Sequence, residues 1–189
     1  MVLTLFLVTL LASTALGFIY EITKEPIAKA KIAKQAEAIA AVLPLHDNAP
    51  LSEAVEITIE AGILAGYPAT LEGKLQGLAV KTFTKKGYSG EIWLMVGFLP
   101  DGSVCKVQVL EHRETPGLGS KMDTPAFSGQ FVGKNPAEAN LKVKKEGGEI
   151  DAISGATISS RAYAEAIVTA HQAFLQYVQT SATHNHVQP

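Results

Sequence analysis

The stretch whose residue types and spacing best suit chemistry is Asp151-Ala152-Ile153-Ser154-Gly155-Ala156-Thr157. Gly155 and Ala156 are small enough to let another molecule come close to the backbone. A helical pattern follows at once. Its free N–H groups and the positive end of its dipole favour a phosphate at the turn. Ser154, Thr157, Ser159 and Ser160 add hydroxyls there. Together these features describe a phosphate-binding turn with a hydroxyl available for covalent attachment. The same composition also suits a polar turn and helix cap that bind nothing, because Ser and Thr concentrate at helix starts. A self-activated nucleophile is poorly supported: the stretch has no G-x-S-x-G elbow, and no His or Lys lies close in sequence to act as its base.

Elements on both sides must position this turn. After it, Tyr163, Ile167, Ala170, Phe174 and Val178 recur at four-three-four-four spacing, the pattern of a helix with one buried face; Ser159 or Ser160 is the expected cap. Before it, a short strand is expected around Leu141 to Lys144, followed by a Gly147-Gly148 turn. Glu111 to Pro136 is dense in Gly and Pro and lacks periodicity. Connections of that length are often functional, and Phe127 and Phe131 are expected to pin it down. Further upstream the chain reads as β-rich. Val55, Ile57 and Ile59 alternate with polar residues, as do Leu78 and Val80 ahead of Phe83. Ile92 to Phe98 is nearly all apolar, as in a central strand covered on both faces. Pro100-Asp101-Gly102 marks a turn, and Cys105, Val107 and Val109 then alternate with Lys106, Gln108 and Leu110. These two segments predict a hairpin with a loop of about four or five residues, with Cys105 as a buried small hydrophobe.

Met1 to Tyr20 carries no charged side chain. As a helix it would span about 30 Å, one hydrocarbon core. Its Thr and Ser hydroxyls are tolerable because they can bond back to the backbone. The small residues Ala12 to Gly17 also fit a cleaved signal peptide, but no Lys or Arg precedes the apolar run and apolar residues continue past those sites. After Pro26, Ile32, Ala36, Ile39 and Leu43 form a helical stripe that ends at Pro44. The remaining composition excludes several classes. Of the 189 residues 47% are hydrophobic, too many for a disordered chain. Sixteen Lys and Arg against 18 Asp and Glu leave a net charge of −2, so no nucleic-acid partner is expected. The single cysteine excludes an internal disulfide, a Cys-based zinc site and a self-contained iron–sulfur cluster, and no metal site is expected. Redox chemistry would need another cofactor.

Asp151 to Thr157 resembles the flavinylation motif of FMN-binding domains in membrane redox complexes, in which a separate flavin transferase moves FMN from FAD onto the final Thr hydroxyl. About 37 residues upstream, Glu114-Thr115-Pro116-Gly117-Leu118-Gly119, preceded by His112, resembles a second signature of that domain. Gly90, Trp93 and the Asp101-Gly102 turn also fall in the family's order. The resemblance covers nearly the whole chain and is strongest to the RnfG family, the G subunits of Rnf ion-translocating ferredoxin:NAD+ oxidoreductase complexes; the NqrC proteins of sodium-pumping NADH:quinone oxidoreductases are near relatives. It implies a covalent FMN phosphoester at Thr157. It implies that Asp151, Ser154, Gly155 and Ala156 form the transferase recognition sequence. It further implies that Glu114, Thr115 and Leu118 line the flavin ring, with Gly117 and Gly119 permitting a close turn. Thr157 would be an attachment site and not a catalytic nucleophile. Partners would be the other membrane and redox subunits of the complex and the flavin transferase.

The expected fold class is α+β: a single N-terminal transmembrane helix followed by one FMN-binding domain with a mainly antiparallel sheet and packed helices. The expected division is an anchor at 1–22, a juxtamembrane amphipathic helix at 23–45, the FMN-binding domain at 46–180 and a flexible tail at 181–189. Lys24, Lys29, Lys31 and Lys34 follow the span, so the positive-inside rule taken alone would put the domain in the cytoplasm. The resemblance implies the opposite, an extracytoplasmic domain on a cell-membrane anchor. A non-redox, membrane-anchored protein for phosphate or sugar phosphate is the alternative function, as is the equivalent subunit of a sodium-pumping reductase. A hydrolase using Ser154 or Thr157 is a third reading.

Overall fold

A computed structural model describes residues 1–185. Met1–Glu37 forms one compact unit, and the chain from Ala38 onward forms another. Helix α1 runs unbroken from Val2 to Val42, through Pro26 and across the expected boundary at 22/23. Among the described residues it is the one helix long and apolar enough to cross a membrane, and none of its apolar stretch is buried in the protein. The hydroxyls of Thr9 and Thr14 donate to Leu5 O (3.0 Å) and Leu10 O (2.8 Å), which satisfies them without water. Of the predicted stripe, Ile39 and Leu43 are buried but Ile32 is exposed.

The second unit is built on one antiparallel meander: β1 (Val55–Ile59), β2 (Gly62–Leu71), β3 (Lys74–Thr84), β4 (Ile92–Phe98) and β5 (Val104–Glu111), in that spatial order. The expected mainly antiparallel sheet is present. Strand β2 was not legible in the sequence, because Pro68 breaks its pattern and a proline cannot donate to a ladder. The structure accommodates it where β1 no longer covers β2, since their pairing stops at Gly66. There the Asn48 side chain stands in for a neighbouring strand. It donates to Pro68 O (2.9 Å) and accepts from Thr70 N–H (2.9 Å).

Both sheet faces are covered, as the apolar run of β4 predicts. Leu78, Val80, Leu94, Val96 and Phe98 pack with the face of helix α3 (Thr157–Asn185) that carries Tyr163, Ile167, Ala170 and Phe174. Tyr67, Ala69, Ala79 and Met95 pack with Ala38, Ile39, Val42 and Leu43. Gly97 permits this second contact: a Cβ there would lie 2.0 Å from Val42 O. The helix end therefore belongs to the core of the second unit, ahead of the expected start at 46.

Several local expectations are corrected. Cys105 is half-buried, because a bulge pairs Phe98 with Val104 and Gly97 with Lys106; Val104 takes the core position and Cys105 is the extra residue. Leu141 to Lys144 forms a single bridge, Val143 to Ile150, followed by a 3₁₀ turn at Lys144–Glu146. Ser159 and Ser160 lie inside the first turn of α3 and not at its cap. In β4, expected to be covered on both faces, Trp93 is only half-buried and stacks on Phe83 at 4.6 Å. Helix α3 continues to Asn185, past the expected start of a tail at 181, and positions 186–189 lie outside the described residues.

Candidate functional site

Two turns of the same design face each other. In the first, Leu118 N–H donates to Thr115 O (3.1 Å), with Pro116 second and Gly117 third, at φ +76°. In the second, Ala156 N–H donates to Ile153 O (2.9 Å), with Gly155 third, at φ +74°. A third-position glycine at positive φ is the type II requirement, and proline is favoured just before it. A Cβ added at Gly155 would lie 3.2 Å from Leu118 Cδ2, so the two turns are in close proximity.

Each turn is tied to its surroundings by polar side chains. Ser160 Oγ accepts from Ile153 N–H and donates to Ala156 O, both at 2.9 Å, fixing the second turn on the start of α3. His112 organises the first. Its Nδ1 accepts from Glu114 N–H (3.0 Å), which leaves Nε2 to donate to Asp123 (3.2 Å). Phe127 on the short helix α2 (Pro125–Ser128) and Phe131 after it meet Tyr163 of α3 with ring centroids 5.2 Å apart, pinning down the segment as expected. Burial and the negative charge of Asp123 push the Tyr163 phenol far above its ordinary pKa, so it stays a neutral part of the aromatic cluster.

Between the turns lies a cleft of about 520 Å³ lined by Glu114, Thr115, Leu118, Gly119, Gly155, Ala156 and Thr157 from the predicted set. Its volume suits a drug-sized or cofactor-sized ligand. Thr157 is half-buried at the first residue of the 29-residue α3. Leu118, Ile158 and Tyr88 leave 43%, 46% and 70% of their surface exposed at this cleft, an apolar rim suited to a flat ring. Glu114 is buried: Oε1 accepts from Ser89 N–H (3.0 Å) and Oε2 from Ser159 Oγ–H (2.6 Å). A Cβ at Gly119 would sit 2.6 Å from Glu114 Oε2 and 2.9 Å from Ser159 Oγ, so the close approach requires glycine.

Three predicted residues lie outside the lining. Asp151 pairs with Lys144 at 2.7 Å and exchanges backbone hydrogen bonds with the Gln130 side chain. Ser154 is exposed beside the turn. Gly117 serves the backbone of its turn, donating its N–H to Ser120 Oγ (2.9 Å). Conversely, Tyr88, Lys145 and Ile158 line the cleft but do not figure among the expected site residues, and Ser159, one of the hydroxyls expected at the turn, lines it too. Gly87 and Gly90 around Tyr88 are the one signal that could have marked the β3–β4 loop. Lys145 is the one basic side chain lining the cleft among the described residues. It forms no hydrogen bond or ion pair there.

An FMN-binding domain model matches residues 87–172, a span that takes in both turns and the cleft lining. The chain is 34% identical to the G subunit of the ion-translocating oxidoreductase complex of Vibrio cholerae, over 90% of this chain and 85% of that one. It is 36% identical to the G subunit of the same complex in Haemophilus influenzae, over 92% and 91%. Among solved structures, NqrC of Shewanella oneidensis matches with a TM-score of 0.50 at 25% identity, over 63% of this chain and 61% of that one. The C subunit of the Na+-translocating NADH-quinone reductase of Parabacteroides distasonis has the same TM-score at 20% identity, over 70% and 71%; it supports the fold alone. The sequence likeness to these G subunits covers about nine-tenths of the chain at more than a third identity, and the chain therefore belongs to the FMN-binding G subunits of ion-translocating oxidoreductase complexes.

Proposed function

We propose that this chain is a membrane-anchored electron-transfer subunit that carries FMN as a phosphoester on Thr157, within an ion-translocating ferredoxin:NAD+ oxidoreductase complex of the Rnf type. The observation that carries this reading is the meeting of the two motif turns on one cleft, with the Thr157 hydroxyl at a helix start. The residues present suit the cofactor. The positive end of α3 and Lys145 favour a phosphate; Leu118, Ile158 and Tyr88 offer apolar surface to the ring; Gly119 and Gly155 keep the walls close. Bound FMN supplies reversible electron uptake, while the protein contributes position and electrostatics. In loading, Thr157 Oγ1 gives up its proton and takes the FMN phosphorus as AMP leaves FAD, a step assigned to a flavin transferase that reads Asp151 to Thr157. The finished tether keeps the flavin from being lost. One flavin and one span cannot move ions, so the remaining membrane and redox subunits are required partners and no complete turnover is expected from this chain alone. The Met1–Tyr20 part of α1 anchors the chain, with the flavin domain on the extracytoplasmic side of the cell membrane.

The test is mass spectrometry of tryptic peptides from the chain co-expressed with a flavin transferase. FMN is expected on the peptide containing Thr157, and acid-stable flavin is expected to vanish in Thr157→Ala. Acid-stable flavin surviving that change would overturn the attachment site.

A further inference from the structure

The cleft contains a buried carboxylate that no cation balances. Glu114 is 5% exposed, and both of its bonds are accepted from neutral donors, the Ser89 N–H and the Ser159 hydroxyl. Acceptance at both oxygens is the pattern of an ionised carboxylate. Other acidic side chains of this region have cationic partners: Asp151 with Lys144, Glu149 with Lys134, Glu146 with Arg161, Glu165 with Lys86. Among the described residues Glu114 has none. The backbone is shaped around it from two sides, since a Cβ at Gly87 would lie 2.7 Å from Oε1 and one at Gly119 2.6 Å from Oε2. Burying a lone charge costs stability, and three chain segments converge to hold this one. Ser159, which also lines the cleft, commits its only proton to Glu114 and so presents only oxygen lone pairs to a ligand.

We infer that Glu114 sets the reduction potential of a flavin held in this cleft, its fixed negative charge disfavouring added electrons and so holding the potential down. This inference rests on the reading that FMN occupies the cleft, but not on the covalent bond. A buried charge acts through a low effective dielectric and escapes screening by salt. At a separation near 10 Å it would shift the oxidised-to-reduced equilibrium by roughly tenfold. Lys145 has the opposite sign but is exposed, so its influence is weaker and falls as salt is added.

The experiment is a dithionite titration, with an indicator dye, of the full-length chain loaded by co-expression with the transferase, or soaked with FMN if no covalent flavin forms. A failure of the Thr157 assignment thus leaves the comparison intact. Glu114→Gln is expected to raise the midpoint potential, so that the ratio of reduced to oxidised flavin at the wild-type midpoint rises about tenfold, at both low and high salt. Glu114→Asp, which keeps the charge but shortens the tie, should stay near wild type. Ser159→Ala, which keeps the charge and removes a donor that offsets it, should hold or lower the potential. Equal shifts for Glu114→Gln and Glu114→Asp would show that only the shape of the loop matters and would overturn the inference. An unchanged potential in Glu114→Gln would do the same. Should Glu114→Gln fail to fold by circular dichroism, a raised potential in Ser159→Ala would still overturn it.

Discussion

At the scale of single residues, the cleft depends on atoms that are missing as much as on side chains. Gly119 illustrates this. Its neighbours Glu114 and Ser159 occupy the volume a Cβ would need, and Glu114 is tied on both oxygens and cannot swing away. Gly119→Ala is therefore expected to cost about 1–3 kcal/mol by overpacking and to shift the flavin absorption spectrum while leaving the Thr157 bond in place. Urea unfolding and the visible spectrum of the loaded protein check both parts. Gly117 differs: nothing lies within 4 Å of its Cβ position, and its requirement is the positive φ of the turn. The motif's two glycines thus have different physical reasons, one backbone conformation and the other space.

At the scale of elements, α3 unites the functional site and the core. Its first turn presents Thr157 and Ser159 to the cleft, and its next turns bury Tyr163, Ile167, Ala170 and Phe174 against the sheet. His171 sits on the same helix, 4% exposed, beside Phe98 and Phe174, and its Nε2 has no partner. Burial lowers its pKa below the ordinary 6.5. The unfolded chain binds a proton near pH 6.5 while the folded chain resists it, so stability falls as pH drops below that value, and the loss is complete below the folded pKa. The urea midpoint is expected to decline between pH 7 and pH 5, and His171→Leu should flatten that decline. An equally steep decline in the variant would remove His171 as its source.

At the scale of the whole molecule, one apolar helix and one flavin domain share a single chain. The lysines after the span argue for a cytoplasmic domain. Glu21 pairs with Lys24 at 2.5 Å and Glu25 with Lys29 at 2.7 Å, although acidic residues offset the positive-inside rule only weakly. With the domain outside, protease added to sealed, right-side-out spheroplasts should remove residues 45–180. Protection there, with cleavage in inverted vesicles, would mean that the charge rule prevails.

The sequence by itself determined the elements with strong local signals: the apolar span, the two-sided strand Ile92–Phe98, the final helix and the turn at Asp151–Thr157, while the Glu114–Gly119 turn was legible through its resemblance to a family motif. The elements rest on apolar length, periodicity or turn chemistry contained within one continuous stretch of at most about twenty residues. Strand β2 escaped because Pro68 is tolerable only where β1 ends and Asn48 substitutes for it, a relation between positions twenty residues apart. The displacement of Cys105 follows from the pairing of β5 with β4, which local alternation cannot encode. In the site, the motifs pointed to Thr157 and to the Glu114–Gly119 turn, but only the tertiary structure decided that Glu114 is tied to Ser89 and Ser159, and that Tyr88 and Lys145 join the lining. Those residues come from four separate segments. Their convergence depends on how α3 and the Gly-rich segment pack on the sheet, because burial and hydrogen-bond partners are properties of that packing and not of any one stretch of chain.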